Sequence, residues 1–496
     1  MSSSSYENWS REDLIARLKE LEGSNPLAHP AENDPQTIPE ISSPAPESFH
    51  FASYPRRKIA LRFCYSGWEY NGLAYQLKPT PLPTVEGVIF EALSRARLID
   101  PDAGYDGCIW EKCGRTDRGV SAGGQVISLW VRSALEENMD RRVSTSSAAE
   151  SVVKVKPEVE EESSMLDDGF GSLSLNDDDE EHTLPPSKAS RPELDYVAIL
   201  NRLLPPTIRM LAWSPVSDTF SARFACKYRH YKYFFSSERL DITKMRDAAS
   251  RLLGLHDFRN LCKLDPAKQI TNFERRILRA DIDPLDYSTA PSMYVLNLIG
   301  TAFLYHQVRH IMAVLLMVGR GLEHPSIVTS LLNVREGAEQ SREGESLQVV
   351  GSKPEYQMAD ALPLMLWDCA YSDENVKWRT DGHEPGSDSP AEDGRGLYHL
   401  LHCIRSRSEI SLALNQHFLD AASMFFPEPW ATTKQGTVGI KAAGSVMEAT
   451  AVCSFAEEKK LDPVEVANER WRNGKGFRRD QRKITGGGID IDGDDE

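Results

Sequence analysis

The sequence predicts an α+β protein built on a largely antiparallel sheet, and three observations predict it. Short runs at 58–65, 125–131, 208–213 and 228–235 alternate apolar and polar residues, as half-buried strands do. Longer stretches at 85–98, 194–204, 242–253 and 307–318 repeat apolar residues at helical spacing, and they are too few to alternate strictly with the strands. A segment at 134–190, acidic, Ser-rich and nearly without aromatics, separates two parts of this pattern.

In chain order, Ser10 caps a short helix over 9–21, with Leu14, Leu18 and Leu21 as its apolar stripe. Residues 23–55 are rich in Pro and Ser and read as disordered. Order is expected from Arg57: the strand 58–65, a loop at 66–72, then a helix with Val85, Ile89, Leu93 and Ala96 on one face. After the acidic segment the helix 194–204 is stopped by Pro205-Pro206, and strands follow at 208–213 and 228–235. The helix 242–253 ends at Gly254. Strands at 277–283 and 293–299 and a buried apolar helix at 307–318 complete the second part. Beyond 379 the reading is two helices, 397–404 and 410–426, then a basic stretch from Arg470 to Lys483 and an acidic end. The expected organisation is 1–55 as N-terminal segment, 56–133 and 191–378 as the two halves of one folded body, 134–190 as insert and 379–496 as C-terminal extension.

A formal charge of −17 over 496 residues argues at first against a nucleic-acid partner. Dividing the chain reverses that. Residues 134–190 hold 5 Lys+Arg against 15 Asp+Glu, whereas 56–133 hold 11 against 8 and 191–378 hold 23 against 22. The two halves are thus slightly basic, and a local cationic groove for RNA stays open. Eight scattered cysteines without a Cys-x-x-Cys pair suit a reducing compartment, and no apolar run reaches the roughly 18 residues that cross a bilayer. The N-terminus lacks the Arg-rich, acid-poor character of a mitochondrial presequence, so nucleus and cytoplasm are the expected locations, with no membrane partner.

The chemistry points to one loop. Lys112-Cys113-Gly114-Arg115-Thr116-Asp117-Arg118-Gly119-Val120-Ser121-Ala122 holds a carboxylate between two arginines and between two glycines that let the backbone bend. Arg115 and Arg118 favour the ionised form of Asp117. A lone Asp before a turn Gly would more often close a hairpin, but this match is much longer. Gly-Arg-Thr-Asp-x-Gly-Val-Ser-Ala resembles, residue for residue, the catalytic motif of the TruA-type tRNA pseudouridine synthases.

Further segments resemble the same family. Arg229-His230-Tyr231-Lys232-Tyr233 alternates aromatics and cations, which fits either an ordinary strand or a surface that stacks single-stranded bases. The resemblance gives Tyr231 the role of stacking on the target uracil, with Arg118, Arg229, Lys232, Tyr233 and His306 as further substrate-binding residues. Phe303-Leu304-Tyr305-His306-Gln307-Val308-Arg309 resembles the segment whose Arg pairs with the catalytic Asp. An Arg entering an apolar helix needs an anionic partner, and Asp117 is the obvious one. The resemblance spans about 57–133 and 191–371, and within it Tyr356 to Leu366 is similar to the family's closing Pro-containing strand. The first loop departs from it, with Gly72-Leu73-Ala74-Tyr75-Gln76 where bacterial members have Gly-Trp-Gln.

What the resemblance implies is a pseudouridine synthase fold, two α+β halves sharing one sheet with a basic cleft between them. It also implies isomerisation of uridine to pseudouridine with Asp117, Arg115 and Arg309 as catalytic residues, and a homodimer. The forms Cys-Gly-Arg-Thr-Asp and His-Gln-Val-Arg-His are similar to a eukaryotic branch that modifies tRNA positions 38 and 39 in the anticodon stem-loop. No cofactor is expected, because no redox step or group transfer occurs. No metal is expected either: His306 and His310 lack the Glu and third ligand of a zinc motif, and His399, His402 and Cys403 fare no better. Two competing functions are a tRNA-binding chaperone, which would not need Asp117, and a zinc-dependent RNA hydrolase, which would need the histidine pair.

Overall fold

The computed structural model describes residues 49–135, 193–285, 292–380, 396–426, 438–440, 446–448 and 459–484. The chain divides after His50 into two units, and the fold below belongs to the second, Phe51–Glu496. The helix expected over 9–21 and the acidic insert lie outside the described residues.

One nine-stranded sheet organises this unit. In chain order its strands are β1 (Arg56–Tyr65), β2 (Glu111–Lys112), β3 (Ser121–Arg132), β4 (Ile208–Pro215), β5 (Tyr228–Ser236), β6 (Gly254–Asp257), β7 (Glu274–Pro284), β8 (Met293–Gly300) and β9 (Leu364–Ala370). They lie side by side as β4-β1-β3-β9-β5-β8-β7-β6, with the short β2 beside β3. Every neighbouring pair is antiparallel except one. β3 runs parallel to β9 over Ser121↔Met365 and Ala122↔Leu366, and that pair joins the half made of β4, β1 and β3 to the half made of β9, β5, β8, β7 and β6; β4, although it follows the insert in sequence, pairs with β1.

Alternation explains which side of each strand is dry. Ile59, Leu61, Phe63 and Tyr65 of β1 share one face and are buried, as are Tyr231, Tyr233 and Phe235 of β5. In the first half, helix α1 (Val85–Arg95) buries Val85, Ile89 and Leu93, and α2 (Tyr196–Leu203) buries Tyr196 and Leu200. The Tyr196 ring meets Trp213 of β4 edge-on, with centroids 4.9 Å apart. In the second half, α3 (Ile242–Ser250), α4 (Gln307–Gly319) and α5 (Ile327–Leu332) do the same work. Ten of the thirteen residues of α4 are buried, which is why its sequence reads as apolar nearly all round.

Several elements differ from the sequence expectation. α2 starts at Tyr196, because the side chain of Asp195 accepts from the Ala198 amide as N-cap. α3 stops at Ser250, and Gly254, at φ +115°, opens β6 rather than simply ending a helix. β9 begins at Leu364, after Pro363, whose missing N–H keeps 356–363 out of the ladder. The two helices expected at 397–404 and 410–426 are one, α6 (Leu397–Ser423), with no buried residue. Helix α7 (Val464–Trp471) returns to the body, where Lys460 bridges Pro354, and a further helix, α8 (Phe477–Ile484), takes up most of the basic stretch.

The insert enters and leaves the fold at one point. The Glu193 carboxylate accepts from the Ala134 amide (2.8 Å), the Ser133 hydroxyl (2.8 Å) and its own neighbour Leu194 (2.9 Å), and pairs with Arg57 at 2.6 Å. Burial works against the Glu193 anion, but these donors outweigh it and hold its carboxyl below the usual range.

Candidate active site

Asp117 lies in the turn between β2 and β3, and the rest of that loop is tied down on every side. The Cys113 amide donates to Val126 (2.8 Å), and the Cys113 carbonyl accepts from Arg229 (2.8 Å). The Gly114 carbonyl accepts from the Gln125 side chain (2.9 Å), and the Thr116 hydroxyl meets the buried Tyr65 hydroxyl at 2.6 Å. Leu73 of the first loop donates to the Thr116 carbonyl (3.2 Å). The turn closes as the Val120 amide donates to the Asp117 carbonyl (3.1 Å), with Gly119 at φ +84°, a region most side chains avoid. The first loop packs so tightly here that a Cβ on Gly67 would stand 2.1 Å from the Val120 carbonyl oxygen. Such a loop holds one side chain in one place, which positioning chemistry requires.

The partners of the carboxylate arrive from far along the chain. His306 Nε2 lies 3.2 Å and Arg309 Nη1 3.5 Å from Asp117 Oδ2. The Asp117 side chain is 21% exposed, open enough for a substrate to reach, while those of His306 and Arg309 are 3% and 13% exposed. His306 precedes α4 in the left-handed conformation, φ 57° and ψ 12°, which aims its ring at the loop rather than into the helix. Its buried Nδ1 has no hydrogen-bond partner among the described residues, so its proton belongs on Nε2, where it donates to the carboxylate. The Tyr305 ring lies 3.8 Å from the His306 ring, centroid to centroid. Arg309 is fixed independently: its Nε donates to the Ala359 carbonyl (2.9 Å), and its own carbonyl accepts from the Ala359 amide (3.2 Å).

The other residues singled out in the sequence divide into two groups. Arg115 and Arg118 flank Asp117 and are exposed. Tyr231 is 9% exposed, packed edge-on against Phe303 at 5.0 Å, and burial raises its phenol strongly. Lys232 points to the other face of β5, with its ammonium 3.8 Å from the Trp367 ring centroid. Arg229 and Tyr233, by contrast, are engaged inside the protein. Arg229 donates to the carbonyls of Cys113, Arg223 and Thr301, tying three segments together, and the buried Tyr233 donates to the Asp360 carbonyl at 3.1 Å. His310, one turn beyond His306, is buried against Lys353 at 3.2 Å and Tyr356, so the two histidines do not converge on one point.

Sequence reasoning passed over some surroundings of the site. Trp68 is 61% exposed, and its indole donates to the Leu362 carbonyl (3.1 Å) beside the Asp117 turn. Trp367 is 45% exposed on β9. Trp68 offers a ring face of the kind bases stack on, whereas the Trp367 ring is already covered on one side by the Lys232 ammonium; the only signal in the sequence was a tryptophan in a loop or at a polar strand position.

The arrangement is thus one partly exposed carboxylate at the junction of two halves of a mixed sheet, held by an Arg of a distant helix and the His just before it. Residues 248–372 match the family model for tRNA pseudouridine synthase. The chain is 39% identical to the tRNA pseudouridine(38/39) synthase of Saccharomyces cerevisiae, covering 74% of this chain and 72% of that protein. It is 37% identical to the Homo sapiens protein of that name, over 75% and 68% of the two chains. It is also 30% identical to tRNA pseudouridine synthase A of Methanosarcina mazei, over 56% and 76%. The chain belongs to the tRNA pseudouridine synthase family, whose members are isomerases.

Proposed function

We propose that this protein isomerises uridine to pseudouridine at positions 38 and 39 of the tRNA anticodon stem-loop, with Asp117 as the catalytic carboxylate. The observation that carries the reading is the partly exposed Asp117 side chain held by His306 and Arg309. The position follows the names of the yeast and human relatives.

A uridine stacked in the anticodon arm hides its glycosidic bond, so the nucleotide is flipped out before reaction. The N1–C1′ bond breaks, the uracil turns, and C1′ rejoins at C5. C5 loses a proton and N1 gains one, so atoms and electrons balance without a co-reactant. Each route open to Asp117, whether addition to the sugar, addition to the base or removal of a ribose proton, starts from the ionised carboxylate. Arg309 and the Nε2–H of His306 stabilise that form and fix its direction. Tyr231 is proposed to close one side of the uracil site, and Arg115, Arg118 and Lys232 to meet phosphates, which position the RNA without reading its sequence.

Pseudouridine mapping of tRNA incubated with the pure protein tests the reading. Modification at 38 and 39 is expected. Asp117→Asn should lose turnover on the order of a thousandfold or more while tRNA affinity stays within a few-fold. Appreciable pseudouridine formation by that variant would remove Asp117 from the chemistry. The seven described cysteines are all free thiols, which supports nucleus and cytoplasm as the locations. A homodimer is proposed as the assembly. α6 supports it by leaving Ile410, Leu412, Leu414 and Phe418 exposed, and a chain lacking residues 397–426 should then sediment as a monomer.

A further inference from the structure

Behind the catalytic loop lies a group of side chains that the isomerase reaction does not use. Cys113 follows β2 and opens the Asp117 loop, Cys226 stands just before β5, and Cys369 lies in β9 opposite Arg229 of β5. Their three sulfur atoms all lie within 4.8 Å of one another. Cys113 and Cys369 are each 1% exposed, and Cys226 is half-buried. Three thiols sharing one pocket is poor use of polar contact, since a thiol is a weak donor and a weak acceptor. Among the described residues Cys226 reaches the Tyr228 carbonyl at 3.2 Å, and Cys113 meets the Tyr371 hydroxyl.

We propose that Cys113, Cys226 and Cys369 bind a zinc ion that ties the catalytic loop to the two central strands of the second half. A tetrahedral zinc with sulfur ligands at about 2.3 Å sets the sulfurs about 3.8 Å apart, so the observed group needs only a small contraction. Three sulfurs and no oxygen ligand select a thiophilic ion against magnesium or calcium. The half-buried side at Cys226 leaves a route for water to fill a fourth position. Charge is also balanced: three thiolates and a divalent cation leave one negative charge, and the Arg229 guanidinium donates to the Cys113 carbonyl beside it. Each thiol releases its proton to solvent as the ion binds. The ion would stand four residues from Asp117 in sequence and join the loop to β5, which carries Tyr231, and to β9, which pairs with β3. Its role is structural. The proposal rests on the thiols alone, so it can fail while the isomerase assignment stands, and the reverse.

The test uses the full chain, loaded with zinc and desalted, with metal measured by mass spectrometry and thiols mapped by alkylation and peptide analysis. One zinc per chain is expected, with Cys113, Cys226 and Cys369 protected by zinc and exposed by chelator. Cys226→Ser, at the least buried of the three positions, should weaken retention about tenfold or more. A cobalt-loaded chain should show a thiolate-to-cobalt charge-transfer band that the variant lacks. Equal alkylation of the three cysteines with and without zinc would overturn the proposal without reference to any variant. So would unchanged zinc content in Cys226→Ser, or a disulfide between two of the three in the freshly isolated chain.

Discussion

At the scale of single residues, the site depends on two side chains doing two things each. Arg309 pairs with Asp117 through Nη1 and donates to Ala359 through Nε, so its guanidinium is a bracket as well as a charge. Lys keeps the charge and cannot make both contacts. Arg309→Lys should therefore slow single-turnover conversion at saturating tRNA about 10–100-fold, with affinity little changed. His306 offers a second handle. Asn tolerates its left-handed backbone but cannot reach the carboxylate as an imidazole does, so His306→Asn should cut the same rate within the same range and leave the melting temperature nearly unmoved. Wild-type rates in both variants would mean that the carboxylate needs neither. Asp117 and Arg309 were legible in the sequence because each sits in an unbroken motif. His306 reads there as a substrate contact; its place against Asp117 depends on one residue with positive φ, which no periodicity reveals. The three clustered cysteines have no spacing signal at all, since the topology alone gathers residues 113, 226 and 369.

Among the elements, α4 carries both the site and a pH liability. His310 faces Lys353, whose Nζ donates to the Cys262 carbonyl at 2.7 Å, and the Tyr356 ring. Burial, reinforced by the Lys353 ammonium, pushes His310 down to about 2. Its folded value thus lies below its unfolded one, so the unfolded chain takes up a proton that the folded chain refuses. Stability from this group is present above pH 6.5 and is lost as pH falls below it, by up to about 1.4 kcal/mol per unit. His310→Leu should flatten the fall in urea midpoint between pH 6.5 and 4.5 relative to wild type; parallel curves would contradict this. Burial likewise brings Lys353 down to about 8. The apolar run at 307–318 made the helix easy to foresee. α6 was harder: Ser406 and Ser408 interrupt its apolar pattern and suggest a break, yet neither stops a helix in solvent.

For the whole molecule, the Glu193 clasp separates the insert from the fold. Because both ends of the segment meet at one buried carboxylate, removing residues 140–185 should leave the melting temperature and the isomerase rate nearly unchanged. Loop length contributes only about 0.6 kcal/mol per doubling. Glu193→Ala should cost more than the whole deletion, and a large drop in melting temperature for the deletion would show that the insert packs. Charge is distributed in the same spirit: although the chain carries −17 overall, tRNA affinity should fall steeply with salt, because Arg115 and Arg118 stand exposed beside Asp117. A flat affinity from low to moderate salt would count against that surface. Composition foretold two slightly basic halves around an acidic stretch. It could not foretell that β4, which follows the insert, joins β1 while β9 joins β3 as the sheet's single parallel pair, because strand order depends on contacts between residues hundreds of positions apart.

That parallel pair also sets a clock. Asp117 and Arg309 are 192 residues apart, and β9, which completes the junction, begins only at Leu364. On a ribosome adding about 5–20 residues per second, some 10–40 seconds pass between synthesis of the carboxylate and synthesis of the arginine that holds it. Until β9 is made, the Ser121–Ala122 end of β3 lacks its parallel partner, and the Asp117 loop waits without His306 and Arg309. The carboxylate therefore gains its two partners long after its own loop is made, and a nascent chain stopped before β9 still lacks the strand that pairs with Ser121 and Ala122.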